Sequence, residues 1–282
     1  MSIQDQTSPL RRVYVRAPVP ADLHAWAAYG WRSEPDAARA AAEHEAFRAE
    51  LERAGAVVEA GSARAEDDPD AIYAYDPLLM TDDGALLLRP GKTGRRAEPD
   101  VVAEDLTAMG IGIAGRMEAP GTAEGGDLFW LDPSTLVAGR SYRTNDDGIT
   151  QLRASLGTSV DVIVFDLPHL HGPDECLHLM SFISPLDVDL AVVYLPLVPV
   201  RLMELLRERG VDLVEVPDEE FASMGPNVLA LGPRIALALD GNPETRRRLE
   251  RAGVDVRTYV GDEISRKGDG GPTCLTRPLE RG

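Results

Sequence analysis

The chain has 282 residues, of which 44% are hydrophobic, so it is long enough for one large domain with a sizeable core. Its 47 acidic and 29 basic residues give a formal net charge of −18 at pH 7. Such a field repels nucleic acids and anionic membrane surfaces and favours cationic ligands. We therefore expect no nucleic-acid partner.

Membrane and export signals are also missing from the sequence. No apolar run approaches the roughly 20 residues of a transmembrane helix, and the first residues, MSIQDQTSPLRR, lack the apolar core of a signal peptide. Two cysteines do not make a disulfide framework, which favours a reducing compartment. The prediction is a cytoplasmic protein with no membrane partner.

An amphipathic helix, a glycine and a short strand follow one another five times along the chain. In the first instance, AARAAAEHEAFRAELERAG precedes AVVEA, and Gly55 can end the helix in the left-handed conformation. The same join returns at intervals of roughly 50 residues, as expected for a repeated structural module. Its later positions are Gly110, Gly157, Gly210 and Gly253.

Between these joins lie four predicted hairpins, in which apolar runs flank turn residues. They are LLMTDDGALLLRP, LFWLDPSTLVAG, FISPLDVDLAVVYLP and NVLALGPRIALAL. Ordinary parallel α/β folds rarely carry a hairpin in every unit. The pattern therefore predicts a single domain over 1–282 made of five ββαβ modules with pseudo-fivefold symmetry, a five-bladed α/β propeller. An open mixed sheet is the alternative.

Polar residues stand at the start of each predicted hairpin. Asp76 precedes the first, and the run Glu124-Gly125-Gly126-Asp127 precedes the second. His178 opens the third, Asn227 the fourth, and Cys274 takes the fifth position near the end of the chain. Closing a ring of modules would bring these residues to the central axis. Acids, an imidazole and a thiol together suit a covalent reaction at a cationic carbon.

Four strings make a specific resemblance. GTAEGGDLFW, GRSYRTNDDG, CLHLMSF and GGPTCLTRPL, in this order, resemble the guanidine-modifying superfamily of five-bladed propellers, and the similarity runs from about Arg12 to Leu279. That group, the penteins, includes dimethylarginine dimethylaminohydrolases, arginine deiminases and amidinotransferases. The compact length is most like the dimethylarginine hydrolases. The resemblance implies a hydrolase that needs neither a metal nor an organic cofactor and acts on a small guanidino amino acid. It leaves a homodimer open.

The resemblance also implies roles for individual residues. Asp76 matches the aspartate that binds the guanidinium, a task that carboxylates perform by bidentate hydrogen bonding. Cys274 matches the nucleophile that forms a thiouronium adduct. His178 matches the residue that protonates the departing amine and then activates water. Glu124 matches the acid that orients this histidine or touches the guanidinium.

Substrate recognition beyond the guanidinium requires a partner for an α-carboxylate. The resemblance places it at Arg95, with Arg96 as a close alternative, and at Arg143, because the arginine fork fits a carboxylate. Asp127 is a further candidate for substrate binding, although it could instead hold a loop through backbone hydrogen bonds.

Two stretches near the predicted site residues allow other interpretations. The run PHLHGPDECLHL has no standard zinc-ligand spacing, so no metal site is predicted there, and Cys176 is expected in the core. The glycine-rich KGDGGP stretch is not followed by a helix, which makes a phosphate site a weak interpretation.

Three departures bear on the substrate. Tyr75 stands where some dimethylarginine hydrolases carry an acid, which leaves plain arginine open as an alternative to methylated arginine. Met180 replaces an aspartate of arginine deiminases, and Asp76 replaces an asparagine of arginine dihydrolases. The sequence therefore predicts hydrolysis of an Nω-methylated arginine to citrulline and an amine. The alternatives are deiminase, dihydrolase or amidinotransferase chemistry, and a non-catalytic arginine-binding protein.

Overall fold

The structure is a computed structural model that describes residues 2–173, 175 and 177–282. Within these residues the strands form five three-stranded sheets, which we call blades. In strand order the blades are β15-β1-β2, β3-β4-β5, β6-β7-β8, β9-β10-β11 and β12-β13-β14. They are numbered one to five in that order.

The strands are short and the helices are longer. The strands are β1 (Leu10–Val15), β2 (Val57–Ala60), β3 (Leu78–Thr81), β4 (Gly84–Leu87), β5 (Ile113–Arg116), β6 (Leu128–Asp132), β7 (Thr135–Arg140), β8 (Asp161–Asp166), β9 (Ile183–Asp187), β10 (Leu190–Val193), β11 (Asp212–Glu215), β12 (Val228–Gly232), β13 (Ile235–Leu239), β14 (Asp255–Tyr259) and β15 (Arg277–Arg281). The helices are α1 (Ala37–Arg53), α2 (Glu98–Ala108), α3 (Asp146–Leu156), α4 (Val200–Glu208), α5 (Asp218–Phe221) and α6 (Pro243–Arg251).

Each blade repeats one ββαβ arrangement. The middle strand pairs antiparallel with the first strand and parallel with the third, as when β4 pairs with β3 and β5. The long helix lies between the second and third strands in sequence, since a parallel pair needs a crossover connection. The predicted helix ends are confirmed, because the five join glycines have positive φ angles between 68° and 94°.

The first blade is assembled from both ends of the chain. β15 pairs antiparallel with β1, which places Val13 opposite Pro278. β1 then pairs in parallel with β2 across helix α1. The sequence predicts four hairpins between the joins, and the C-terminal strand supplies the partner that the first module lacks.

Hydrogen bonds connect each blade to the next just before or within its first strand. In four of these bonds a side-chain oxygen accepts from a backbone N–H of the next blade. The acceptors are Asp76, Asp127, Ser184 and Asn227, and the donors are Gly126, Leu179, Val228 and Thr273 in the same order. The backbone N–H of Tyr75 donates to the carbonyl of Cys274 at 3.2 Å and joins blade one to blade two. This circuit passes through all five blades, and with the sheet order it confirms the predicted five-bladed propeller.

The core consists of five clusters of buried apolar side chains rather than one central mass. One of them includes Phe47, Leu51 and Tyr259, where the apolar face of α1 packs on the first and fifth blades. Within residues 2–173, 175 and 177–282, no helix is both long and apolar enough to cross a bilayer. The assignment of 1–282 to a single domain stays a prediction.

Candidate active site

Three of the predicted site residues converge at the starts of their blades. One nitrogen or oxygen atom from each of the side chains of Asp76, Glu124 and His178 lies within 4.8 Å of the other two, and each of the three residues is buried. They precede β3, β6 and β9, so residues far apart in sequence meet because the first strands of neighbouring blades are linked there.

Glu124 and His178 form a direct pair. Imidazole Nε2 lies 2.7 Å from Glu124 Oε2, and Glu124 Oε1 accepts from the backbone N–H of Lys92 at 3.1 Å. Burial alone would raise the pKa of Glu124. The hydrogen bond from His178 and the charges of His178, Arg143 and Arg95 outweigh burial and hold the pKa well below its usual range. The glutamate is therefore ionised throughout the physiological range.

Two glycines leave room for this pair. A Cβ at Gly126 would collide with the imidazole of His178, and one at Gly125 would collide with the carbonyl of Tyr75. The backbone N–H of Gly126 also donates to Asp76 Oδ1 at 2.9 Å. The Gly-Gly run therefore allows the acid of one blade and the imidazole of another to approach the same backbone segment.

Asp127 is fully buried and its contacts are with the protein. Oδ1 accepts from the backbone N–H of Leu179 at 3.0 Å, and Oδ2 accepts from the hydroxyl of Ser141 at 2.6 Å. Burial raises the pKa of Asp127 to about 6, against the lowering charge of His178 and these hydrogen bonds. Through its hydrogen bond with the N–H of Leu179, Asp127 holds the backbone directly after His178 in place. Its role as a direct substrate ligand stays a prediction.

Cys274 lies in a tight turn, with two residues between it and β15, and part of its surface is exposed. Burial raises the pKa of its thiol to about 11, and the charge of Asp76 adds to this. The charge of His178 and hydrogen bonds from Asn227 and the Gly271 backbone act in the opposite direction. The thiol thus lies within electrostatic reach of both the predicted guanidinium-binding acid and the predicted proton donor.

Arg95 is almost fully buried, with 4% of its surface exposed. Its guanidinium donates to Asp76 Oδ2 at 2.6 Å, to both Glu98 oxygens at 2.5 and 2.9 Å, and to the Tyr73 carbonyl at 3.1 Å. These contacts make Arg95 the residue that holds Asp76 in place. Its role as a direct partner of the substrate carboxylate stays a prediction.

Arg143 lies at the edge of the same cluster. Its guanidinium NH1 is 3.4 Å from Glu124 Oε1, and 11% of its side chain is exposed. It also lines an open cavity of about 310 Å³ between the loop after β7 and the loop after β8. Arg143 therefore joins the buried acid–imidazole pair to solvent-accessible space.

Sequence reasoning missed several residues of the site. The sequence predicts a strand start at Asn227 but no role for it, and its Nδ2 donates to Cys274 Sγ at 3.3 Å. Glu98 lies three residues after Arg95, a spacing that brings two side chains together at the start of a helix. Arg277 lies over the ring of Tyr75, with 3.6 Å between its guanidinium carbon and the ring centroid. No sequence signal marks that contact. Cys176 lies outside the described residues.

The spacing of Asp76, Glu124 and His178 would suit a metal ion. Their lone pairs are instead directed at cations and at each other, because Arg95 pairs with Asp76, and Arg143 and His178 both pair with Glu124. We assign no metal to this cluster, and the predicted independence from metals and cofactors stays a prediction.

Fold and site together define a guanidine-modifying enzyme of the pentein superfamily, as the sequence resemblance predicted. The family model described as "N,N dimethylarginine dimethylhydrolase, eukaryotic" matches residues 27–281. The chain belongs to this family. The prediction of a hydrolase that acts on guanidino C–N bonds of arginine derivatives is confirmed at this level.

Individual relatives agree with this assignment. The chain is 28% identical over 248 residues to N(G),N(G)-dimethylarginine dimethylaminohydrolase of Pseudomonas aeruginosa, covering 86% of this chain and 89% of that protein. It is 31% identical over 216 residues to the protein of the same name from Streptomyces coelicolor, covering 75% of each.

Solved structures agree as well. A mutant of the Pseudomonas aeruginosa enzyme complexed with citrulline superposes with a TM-score of 0.76 at 25% identity, covering 95% of this chain and 98% of that one. SxtG, an amidinotransferase from Microseira wollei, superposes with a TM-score of 0.77 at 18% identity, covering 98% and 96%. The second likeness shows the fold alone.

Proposed function

We propose that this protein hydrolyses Nω-methylated arginine to citrulline and a methylamine through a covalent adduct on Cys274. One observation carries the proposal: two carboxylates and an imidazole from three different blades converge within 4.8 Å, and the thiol of Cys274, from a fourth blade, lies within range of the charges of Asp76 and His178. The names of the two curated relatives above support the choice of substrate.

Binding begins with the guanidinium. Asp76 and Glu124 are buried carboxylates, and ionised carboxylates in a low-dielectric site bind a cation strongly and directionally. Arg95 and the Gly126 backbone fix the orientation of Asp76 before substrate arrives. The two acids localise the charge of the guanidinium and make its central carbon more electrophilic.

The sulfur then attacks that carbon. Because burial raises the pKa of Cys274 to about 11, the free thiol is largely protonated at neutral pH, and a bound cation beside it would favour the thiolate. The thiol proton passes to His178, a C–S bond forms, the C–N bond to the methylated nitrogen breaks, and His178 gives this proton to the departing amine.

The second half of the reaction uses the same groups. His178, now neutral and oriented by Glu124, accepts a proton from water as the water oxygen attacks the thiouronium carbon. The C–S bond breaks with its electron pair on sulfur, and the ureido product leaves. Water as acceptor makes the reaction a hydrolysis; an amine in its place would give an amidinotransferase.

Arg143 is proposed as the partner of the substrate carboxylate. It adjoins Glu124 and lines the open cavity, so an amino acid bound by its guanidinium end could reach it. Arg95 and Asp127 are proposed to act by positioning Asp76 and His178. A cytoplasmic location and a homodimer stay predictions.

A trapping experiment tests the chemistry. Wild-type protein incubated with a haloacetamidine should gain one adduct in its intact mass, mapped to Cys274, and Cys274→Ser should gain none. The substitution exchanges one atom in the turn, so equal thermal melting of the two proteins controls for folding. Adduct on Cys176, or no adduct, would contradict the covalent mechanism.

A substrate panel tests the specificity. Arginine, monomethylarginine, asymmetric dimethylarginine, agmatine and guanidinoacetate are assayed for ureido product and for released amine. We expect kcat/KM to be highest for a methylated arginine. Highest activity on plain arginine would reassign the substrate, and labelling of Cys274 without turnover of any member would favour a non-catalytic binding protein.

A further inference from the structure

The sulfur of Cys274 has a neutral hydrogen-bond donor that the reaction above does not use. Asn227 stands directly before β12, in the equivalent position of the fifth blade, and is 7% exposed. Its Nδ2 donates to Cys274 Sγ at 3.3 Å. The amide therefore contacts the reacting atom, and which end of the amide faces the sulfur decides whether it donates a hydrogen bond.

That orientation is fixed by the backbone. Asn227 Oδ1 accepts from the N–H of Thr273 at 3.2 Å, an arrangement that only the carbonyl end of the side-chain amide can make. The NH₂ end must then face the sulfur. A Cβ at Gly271 would lie 2.5 Å from Asn227 Oδ1, so the cysteine turn is shaped around this amide.

The rest of the thiol environment is mixed. Asp76 disfavours a negative sulfur, His178 favours it, and the buried phenols of Tyr73 and Tyr259 lie within electrostatic range. Hydrogen bonds to a charged form stabilise that form, and more so in a buried setting.

We propose that Asn227 is a catalytic residue whose side-chain amide donates a hydrogen bond to the sulfur of Cys274 in its anionic form. The catalytic part of this inference rests on the proposed function. The same donor acts when the thiolate attacks and again when the C–S bond breaks and its electron pair returns to sulfur, so both steps depend on it.

The test measures the thiol directly. Asn227→Asp keeps the shape and the acceptor for Thr273 N but replaces the donor by a carboxylate. Alkylation of Cys274 by iodoacetamide is followed between pH 6 and 10 and localised by peptide mapping. The alkylation rate follows the fraction of Cys274 present as thiolate, which the new carboxylate lowers. A thiol of higher pKa is also intrinsically more nucleophilic, and this offsets part of the loss. We therefore expect the alkylation rate to fall about three- to tenfold at pH 8.

Asn145→Asp is the matched control. Asn145 caps helix α3 through Gly148 N and accepts from Thr122 N, and aspartate keeps both acceptor roles, while the bond that the Asn145 amide donates to the Pro120 carbonyl lies at an exposed site. The substitution adds the same charge beside blade three, whereas Cys274 belongs to blade one. Its alkylation rate should equal that of wild type. If Asn227→Asp gives no cooperative melt, Asn227→Ala and Asn227→Ser receive the same measurement.

The outcomes separate the two proposals. Unchanged alkylation in the Asn227 variants, or an equal fall in Asn145→Asp, overturns the role of Asn227. Slower alkylation in a protein that turns over no guanidino compound leaves the thiol donor in place and removes the proposed function. With a substrate in hand, kcat should fall at least tenfold in Asn227→Asp while KM changes little.

Discussion

The sequence predicts the same role for Arg95 and Arg143, namely binding of the substrate carboxylate, yet the two residues lie in different electrostatic environments. Arg95 is buried among Asp76, Glu98 and Asp70. Arg143 pairs with Glu124 at 3.4 Å and borders an open cavity. Arg95 is thus part of a buried network of ion pairs. Arg143 lies between the buried pair of Glu124 and His178 and the solvent.

This difference matters because a buried charge is stabilising only while its partners remain. Removing Arg95 would leave at least two carboxylates buried without their cation, which is expensive in a low-dielectric interior. Removing Arg143 leaves Glu124 paired with His178 and its backbone donor. We therefore expect Arg95 to govern folding and Arg143 to govern substrate affinity.

The largest expected effect is on stability. Arg95→Gln should lower the free energy of unfolding by about 3–5 kcal/mol, since it breaks a buried ion-pair network, and should lower the melting temperature by about 10 °C. Thermal denaturation followed by circular dichroism measures this. Arg140→Gln, which breaks exposed pairs with Asp146 and Asp166, should shift melting by no more than about 2 °C. Equal shifts would erase the distinction between buried and exposed pairs.

The next effect is on substrate affinity. Arg143→Ala should raise KM for an arginine-type substrate by about 10- to 100-fold, because a charge-assisted hydrogen bond contributes about 1.5–3 kcal/mol. Its melting temperature should stay close to that of wild type. An unchanged KM, measured by steady-state kinetics, would remove Arg143 from carboxylate binding.

A smaller effect distinguishes the end of the substrate that Arg143 contacts. Agmatine has the guanidinium of arginine but no carboxylate, so Arg143→Ala should change its kcat/KM by less than about threefold. The ratio of the two substrates' kcat/KM values in wild type and variant is the measurement. A parallel loss on agmatine would show that Arg143 acts through Glu124 instead.

The smallest effect concerns the surplus of acid around Arg95. Burial raises the pKa of Asp68 to about 6, although the charge of Arg95 opposes this. A raised folded-state pKa means that this group's contribution to stability is present below about pH 4 and is lost as pH rises through 6. Asp68→Asn should therefore be about 1 kcal/mol more stable than wild type at pH 7. Its melting temperature should depend less on pH between 4 and 7, and a steeper dependence would contradict this assignment.

Much of the fold could be predicted because its signals are local. The five helix–glycine–strand joins depend on helical periodicity and on glycines that tolerate positive φ, and both are visible in a short window of sequence. The pairing that completes blade one is harder to predict from the sequence. β15 and β1 are separated by almost the whole chain, and nothing local pairs Val13 with Pro278.

The candidate site divides in the same way. The sequence by itself determined which residue types stand at the five strand starts, since Asp76, Glu124, His178, Asn227 and Cys274 each follow from local hairpin and turn patterns. Only the tertiary structure decided which of these residues are in contact and which charged groups are buried in ion pairs. Contact, burial and electrostatic pairing depend on how the blades meet. For this reason Arg95 and Arg143 differ in environment although the sequence predicts the same role for both, and Asn227 faces the sulfur of Cys274.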